Sequence, residues 1–210
     1  MARLYKLKVG TNSHLSNEHE IGHEKTYTGP EFLVDFFTFR IFPSYLWSTC
    51  IVKREILVKM GGVPDYGTPF LGDYAYLSLM GSASGCVVIN KSLGCQTVHH
   101  QNFGRNQNDQ IITVATAFPK YLQQRLSHLQ NWHQIEKYML DFTGLWVIMH
   151  MAFLHHYFND NEENEKSLAQ AEREVFKIDY VRKFHTKYFF KKRFPKIHDQ
   201  LVNLKKKIKG

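Results

Sequence analysis

Hydrophobic residues in the second half of the chain recur at spacings that indicate helices. Seven apolar residues include pairs spaced three and four apart throughout, which is typical of one buried helix face: Ile135, Tyr138, Met139, Phe142, Leu145, Trp146 and Met149. Asn108 or Asp109 suits the N-cap of a preceding helix that runs toward Leu129, and Pro119 predicts a kink in it. The segment NDNEEN reads as a turn, and a third helix is predicted from about Glu163.

The first half of the chain has a different pattern. Up to about Arg105 the predicted elements are short, include both helices and strands, and are rich in glycine. The predicted strands are STCIVKR, GCVVIN and GCQTVHH, and the predicted helices are GPEFLVDFFTFR, REILVKMG and DYAYLSLMGSAS. Because strands alternate with helices, the expected class is α/β. The expected organisation is one α/β part over residues 1–105 and a helical extension with a basic tail over residues 106–210.

The segment FTGLWVIMHMAFLHHYF is uncharged over 17 residues, so a membrane span has to be considered. That length is at the bottom of the range for a spanning helix. The segment also contains Thr143, Gly144 and three histidines, and Asp141 precedes it. We therefore predict a buried core helix instead of a span.

Composition narrows the class of protein. With 210 residues, 43% hydrophobic and 14% aromatic, the chain can bury a core and is expected to fold. Cys50, Cys86 and Cys95 form neither a CxxC pair nor an even set, which favours a reducing compartment and buried thiols. The segment MARLYKLKVGTNSH lacks the apolar core of a signal peptide. The expected location is the cytoplasm, with the inner face of the membrane as the peripheral alternative.

The net charge of +8 is unevenly distributed. Residues 181–210 contain eleven Lys and Arg and one acid, Asp199, which gives +10 and leaves about 8 − 10 = −2 for the remainder. Residues Ile197, Leu201, Leu204 and Ile208 lie near one helical face, and YFFKKRF interleaves aromatic with basic residues. The 182–209 basic tail therefore suits either contact with an anionic membrane surface or a solvated helix end. Binding of nucleic acid is disfavoured, because no recognised binding fold surrounds the charge.

A glycine-rich loop joins two predicted helices in the first half. Gly61 and Gly62 are expected to end the helix REILVKMG, since glycine adopts positive φ without a Cβ clash. The loop VPDYGTPFLG follows and is long enough to reach over a cleft. Asp73 then stands at a predicted helix N-cap. An ionised carboxylate at such a junction suits a general base, and Asp is equally a good N-cap with no further role.

Residues 26–105 also carry an ordered set of short motifs. The set runs through Arg54, Leu57, the Gly61–Gly62 pair and Asp73, and then through Gly85, CVVIN and His99. This order resembles the acceptor-side half of the inverting GT-A glycosyltransferases of family two, in which R-x-x-L-x-x-x-GGF-D precedes an ED pair that opens a helix. Upstream, TYTGPEFLVDFF looks like the helix that many bacterial members carry before the acceptor region.

The resemblance implies a partial GT-A-like (nucleotide-diphospho-sugar transferase) domain. It implies transfer of a sugar from a nucleotide-sugar donor to an acceptor hydroxyl with inversion, with Asp73 as the catalytic base. His99, spaced H-x-x-N with Asn102, matches a histidine that binds the metal or the diphosphate, and Mn or Mg is the expected cofactor. The expected acceptor is a glycan or a lipid-linked acceptor, as in polysaccharide biosynthesis.

Three further residues are candidates for binding the acceptor or the donor. Arg54 and Asp65 belong to the segment that resembles the family motif. Trp47, in PSYLWSTC, precedes a predicted strand and suits either stacking on a sugar ring or filling of the core. The adjacent pair His155 and His156 does not suit one metal ion, because neighbouring residues on a helix point in different directions.

Two departures from the family pattern limit what the resemblance implies. Gly72 stands where the family has the first acid of its pair, and no D-x-D metal motif follows a suitable strand. The nucleotide-binding half is thus missing, and this chain alone is expected to be inactive. A sheet without those strands exposes an edge, so we expect either a fragment of a longer product or a homo-oligomer. The alternative function is a non-catalytic interaction or scaffolding module that keeps a remnant of the fold and associates through its basic tail.

Overall fold

The computed structural model describes residues 3–8, 14–15, 24–41, 50–89, 92–98, 110–157 and 162–194. The strands are β1 (Arg3–Lys8), β2 (His14–Leu15), β3 (Glu24–Tyr27), β4 (Cys86–Ile89) and β5 (Ser92–Val98). The first helices are α1 (Gly29–Phe37), α2 (Arg54–Lys59) and α3 (Gly72–Ser84). The later ones are α4 (Gln110–Leu126), α5 (Trp132–Tyr157), α6 (Glu162–Val175), α7 (Asp179–Arg182) and α8 (His185–Arg193).

The described part of the chain is mostly helical, with its strands in two small sheets. One sheet has the order β2-β1-β5, in which β1 is antiparallel to β2 and parallel to β5. The other sheet is the antiparallel pair β3 and β4, in register from Glu24 opposite Ile89 to Tyr27 opposite Cys86. The prediction of an α/β chain is therefore confirmed in its coarser form, as a chain of helices and strands.

The short helices predicted in the first half are confirmed, whereas one predicted strand is wrong. Helices α1, α2 and α3 lie within or next to the three predicted segments, and β4 and β5 match two of the predicted strands. Residues 50–53 of STCIVKR are not in a strand, and Arg54 opens α2 instead. The apolar residues Ile56, Leu57 and Met60 recur at helical spacing. Arg54 therefore belongs to the first turn of the helix that these residues form.

Helix α1 begins at a well-defined start signal and packs tightly on α3. The Thr28 N–H and hydroxyl both donate to the Glu31 carboxylate, at 3.1 and 2.7 Å. These hydrogen bonds belong to a capping box that stabilises the first turn. A Cβ on Gly29 would lie 2.4 Å from the Ser82 carbonyl oxygen, and one on Gly81 would lie 2.4 Å from the Phe32 ring. Glycine at these two positions therefore lets the two helices approach closely.

The chain divides into two compact units. The first comprises Met1–Arg105 with Thr116–Leu140, and the second comprises Asn106–Ala115 with Asp141–Gly210. Helices α4 and α5 thus contribute residues to both units. In the first unit, buried apolar side chains come from α1, α3, α4 and the start of α5, among them Phe32, Leu33, Phe36, Leu79, Phe118, Leu122, Ile135 and Met139. Helix α4 continues through Pro119, and its predicted N-cap at Asn108 or Asp109 lies outside the described residues.

In the second unit, the buried side chains come from α4, α5, α6, α7 and α8, among them Ile111, Val114, Phe142, Ile148, Met151, Leu168, Val175, Val181 and Tyr188. The predicted face of α5 is confirmed at Ile135, Met139 and Phe142, which are buried, and is wrong at Met149, which is 49% exposed. From Gly144 onward the buried residues lie on the opposite side of the helix. Among the described helices, none is long and apolar enough to cross a membrane.

Candidate active site

The loop before α3 is fixed by its own hydrogen bonds. The Gly67 N–H donates to Asp65 Oδ1 at 3.2 Å, and the Phe70 N–H donates to Thr68 Oγ1 at 3.2 Å. The Tyr66 hydroxyl donates to the Phe70 carbonyl oxygen. Gly61, Gly62 and Gly67 all have φ of 84°, which glycine adopts without strain. The backbone leading to Asp73 is therefore held in one shape.

Helix α4 braces the start of this loop. The Arg125 guanidinium donates to the carbonyl oxygen of Met60, the C-cap of α2. The Tyr66 ring packs at 5.3 Å from Tyr121 and 6.2 Å from Phe118, measured between ring centroids. These contacts lie within the first unit, and they connect the start and the middle of the loop to helix α4.

Leu71 sets the start of α3. It is the N-cap, in the left-handed conformation with φ of 58°, and its side chain is buried. This conformation is unfavourable for a branched, bulky residue and persists only where the surroundings hold it. Gly72 and Asp73 follow as the first two helical residues. The prediction of Asp73 as the N-cap is therefore wrong by two positions, and no side-chain hydrogen bond caps the helix.

The Asp73 carboxyl has a strongly perturbed pKa. Burial raises its pKa to about 6 from an ordinary 3.8. No hydrogen bond from the described residues offsets this burial. Once the carboxylate is charged, the first turn of α3 stabilises it, because the N-terminal end of a helix favours negative charge. A carboxyl with a pKa close to neutral is well suited to exchange protons at physiological pH.

Three side chains lie within electrostatic reach of Asp73. Burial, followed by the Asp73 charge, raises the pKa of Tyr66 well above its usual range and that of Tyr74 to about 12. The pKa of Cys50 is raised mainly by burial and also by Asp73, and the Cys50 thiol shares a hydrogen bond with Tyr76. Sequence reasoning missed Cys50, because helix α2 and the loop separate it from Asp73 in the chain.

A cavity of about 430 Å³ lies beside this group. Its lining is largely apolar: Phe32, Ile51, Val52, Ile56, Leu77, Met80, Val87 and Ile89. Cys50, Cys86, Ser84 and Lys53 add the polar groups. The lining residues of α3 include Leu77, Met80 and Ser84, which follow Asp73 at intervals of four, seven and eleven. Since residues at these intervals share one helix face, Asp73 stands one turn beyond the cavity on the face that lines it.

The structure does not bring all the predicted site residues together. Arg54 is exposed at the start of α2, beside a shallow surface formed by Lys53, Glu55, Val58 and Lys59, and no described contact joins it to Asp73. Asp65 is exposed, and its carboxylate closes the turn at Gly67. Trp47 and His99 lie outside the described residues.

The sequence also predicts a bound Mn or Mg ion, which requires a set of ligating side chains. Over the described ranges, no three or more His, Cys, Asp or Glu side chains lie close enough together to hold a metal ion. The predicted ligand His99 lies outside the described residues, so the expected Mn or Mg ion stays a prediction.

Comparisons of this chain with protein-family models, with curated proteins and with solved structures found no match. The case for a function thus depends on the residues around Asp73 and on the resemblance of the sequence motifs.

Proposed function

We propose that the first unit is the acceptor-side part of an inverting glycosyltransferase with a GT-A-like fold. The environment of Asp73 is the main support for this proposal. Asp73 has a carboxyl of pKa about 6, on a braced helix start, on the same helix face as the cavity lining. The order of motifs in the sequence supports the same assignment, since Asp73 matches the base of that family.

The proposed reaction is a single displacement. The Asp73 carboxylate removes the proton of an acceptor hydroxyl, and the acceptor oxygen forms a bond to the anomeric carbon of the sugar. The bond from that carbon to the phosphate oxygen breaks on the opposite face, so the nucleoside diphosphate leaves and the configuration inverts. General base catalysis of this kind contributes about 10²–10⁴-fold in rate.

The cavity indicates the chemical class of the acceptor. Its apolar walls suit an acceptor that carries a hydrocarbon portion, and Lys53 offers a cation to an anionic group at the same lining. A lipid-linked acceptor has both features. The donor nucleotide requires a second half that supplies the diphosphate site, either on the same polypeptide or on a partner, because this sequence has no D-x-D motif on a suitable strand.

The test is a pair of carboxamide variants in the enzyme that contains this chain together with its donor-binding half. Asp73→Asn should lower kcat by about 10²–10⁴-fold. Asp65→Asn is the matched control, because it changes an exposed acid eight residues away and keeps an oxygen for the Gly67 turn. It should leave kcat within about threefold of wild type, since the role of Asp65 in the structure is to close the Gly67 turn, which Asn also does. The anomeric configuration of the product should be inverted relative to the donor.

Near-normal turnover and thermal stability in Asp73→Asn would remove Asp73 from the mechanism and leave it as an ordinary first-turn residue. In that case another group would be the base. Absence of sugar transfer by the wild-type enzyme would favour the scaffolding alternative, in which the cavity binds a partner. Retention of the donor configuration would equally contradict a single displacement.

A further inference from the structure

Helix α8 is anchored to the second unit by one side. Tyr188 is 1% exposed, and its hydroxyl donates to Glu172 Oε2 of α6 at 3.1 Å. The same carboxylate oxygen lies 3.2 Å from His155 Nε2 of α5. The Tyr188 ring also packs on Phe176, at 5.4 Å between centroids. These contacts fix which face of α8 is turned inward.

The opposite face of α8 carries exposed aromatic rings. At 100° per residue, Phe190 and Phe194 lie about 200° and 240° around the helix from Tyr188. They are 37% and 44% exposed, and their rings pack on each other at 5.8 Å. Phe189 is 43% exposed on the flank, where its ring lies 4.5 Å from that of His185. Three exposed phenylalanines within six residues form an apolar patch of the kind that marks a contact surface.

The charge around this patch is strongly positive. Helix α8 contains Lys187, Lys191, Lys192 and Arg193 and no acid. Upstream, Arg182 and Lys183 pair with Asp179 and Asp141, so their charge is balanced locally. Over residues 181–210 the sequence totals +10. The aromatic face of α8 therefore lies in a region whose basic excess has no acidic counterpart in the helix.

We propose that α8 docks on an anionic lipid bilayer, with Phe190 and Phe194 entering the interfacial layer and the positive charge of the segment attracting the anionic headgroups. Aromatic rings beside lysine and arginine are the combination that binds a helix in the plane of a membrane surface. Nucleic acid fits less well, because the Phe190 and Phe194 rings pack on each other instead of standing apart to accept stacked bases. The proposal is independent of the glycosyltransferase assignment.

The test is sedimentation of the purified full chain with two kinds of vesicle, phosphatidylcholine alone and phosphatidylcholine mixed with phosphatidylglycerol. Wild type should bind the anionic vesicles and not the neutral ones. The double variant Phe190→Ser/Phe194→Ser should bind at least about tenfold less tightly, because binding no longer transfers two phenyl rings from water into the bilayer. Raising the salt from about 0.1 M to about 1 M should also release the protein, as the Debye length falls from about 10 Å to about 3 Å.

The matched control is Val58→Ser/Val63→Ser, which makes the same kind of change at two exposed apolar residues of the first unit. It should bind like wild type. Circular dichroism and a thermal melt of both double variants show whether they keep the wild-type fold; if the phenylalanine pair does not, Phe190→Ser and Phe194→Ser singly replace it. Equal binding of the phenylalanine and valine variants, failure of wild type to bind anionic vesicles, or binding to a short RNA or DNA in place of vesicles would each overturn the proposal.

Discussion

At the scale of single residues, Asp73 carries most of the functional argument. Its carboxyl is partly buried at the start of α3, and the αL conformation of Leu71 together with the hydrogen-bonded loop holds it there. A first-turn acid stabilises a helix in its charged form. Here burial raises the pKa toward neutrality, which is common at functional sites.

The raised pKa of Asp73 predicts a specific pH dependence of stability. Between pH 3.8 and about 6 the folded protein keeps a proton on Asp73 that the unfolded chain has lost, so the free energy of unfolding falls as the pH rises through this window. Asp73→Asn should lack this contribution. Urea unfolding of both proteins at several pH values should show a difference that grows between pH 3.8 and about 6 and stays constant above.

The control for this measurement is Asp65→Asn, which should follow the wild-type pH dependence. If the difference between wild type and Asp73→Asn had the same value at every pH, the folded and unfolded states would hold the Asp73 proton equally. Burial of Asp73 would then not raise the pKa of its carboxyl.

The sequence was informative about Asp73 and less so about its surroundings. The glycines and the lone acid before DYAYLSLMG marked the position, but the N-cap was placed two residues late, because left-handed Leu71 is a conformation that an apolar residue rarely signals. The neighbour Cys50 comes from a separate segment of the chain, and only folding brings it close to Asp73. No local spacing indicates it.

At the scale of elements, apolar periodicity predicted helices well and their contacts poorly. Helix α5 shows why. Ile135, Met139 and Phe142 are buried on one face, whereas the buried residues from Gly144 onward lie on the opposite face. A single stripe from Ile135 to Met149 therefore could not describe the whole helix. The segment STCIVKR predicts a strand wrongly, because periodicity does not separate a strand from irregular backbone or a helix start over so few residues.

Close helix packing at Gly144 gives a prediction at this scale. A Cβ there would lie 2.2 Å from the Tyr180 carbonyl oxygen of α7, so Gly144→Ala must push backbone apart. We expect the free energy of unfolding to fall by about 1–3 kcal/mol, the usual cost of overpacking, despite the better helix propensity of alanine. Urea unfolding measures this loss, provided that the free energy of unfolding falls with urea concentration at the same slope in both proteins.

Gly72→Ala is the contrasting substitution. It also replaces a helical glycine, but its Cβ would meet no atom within 4 Å. Its stability should stay within about 1 kcal/mol of wild type or rise. Equal losses in the two variants would show that the Gly144 contact does not decide the outcome.

At the scale of the whole molecule, exposed apolar residues support self-association. In the first unit Ile51 is fully exposed, and Val58, Val63 and Val87 are 68%, 53% and 48% exposed. Ile51 and Val87 also line the cavity. Such residues are expected to be covered in the working protein. We predict a dimer or a larger oligomer, and light scattering at micromolar concentration should give a mass of at least twice 24.7 kDa; a monomeric mass would contradict this.

The organisation into two units was only partly accessible from the sequence. Composition and glycine content change near residue 105, which is where the sequence suggested a boundary. The structure assigns residues 116–140 to the first unit and residues 106–115 to the second. Only the side chains that a helix contacts decide which unit it joins, and those contacts have no signature in composition.

The most direct test of the central claim is the pH dependence of kcat/KM in the enzyme that contains this chain. If Asp73 is the base, activity should rise with pH through an acidic limb near pH 6, where its carboxyl loses a proton. The limb should be absent from the residual activity of Asp73→Asn and present in Asp65→Asn. An acidic limb that persists unchanged in Asp73→Asn, at near wild-type kcat/KM, would show that another group is the base and would contradict the account.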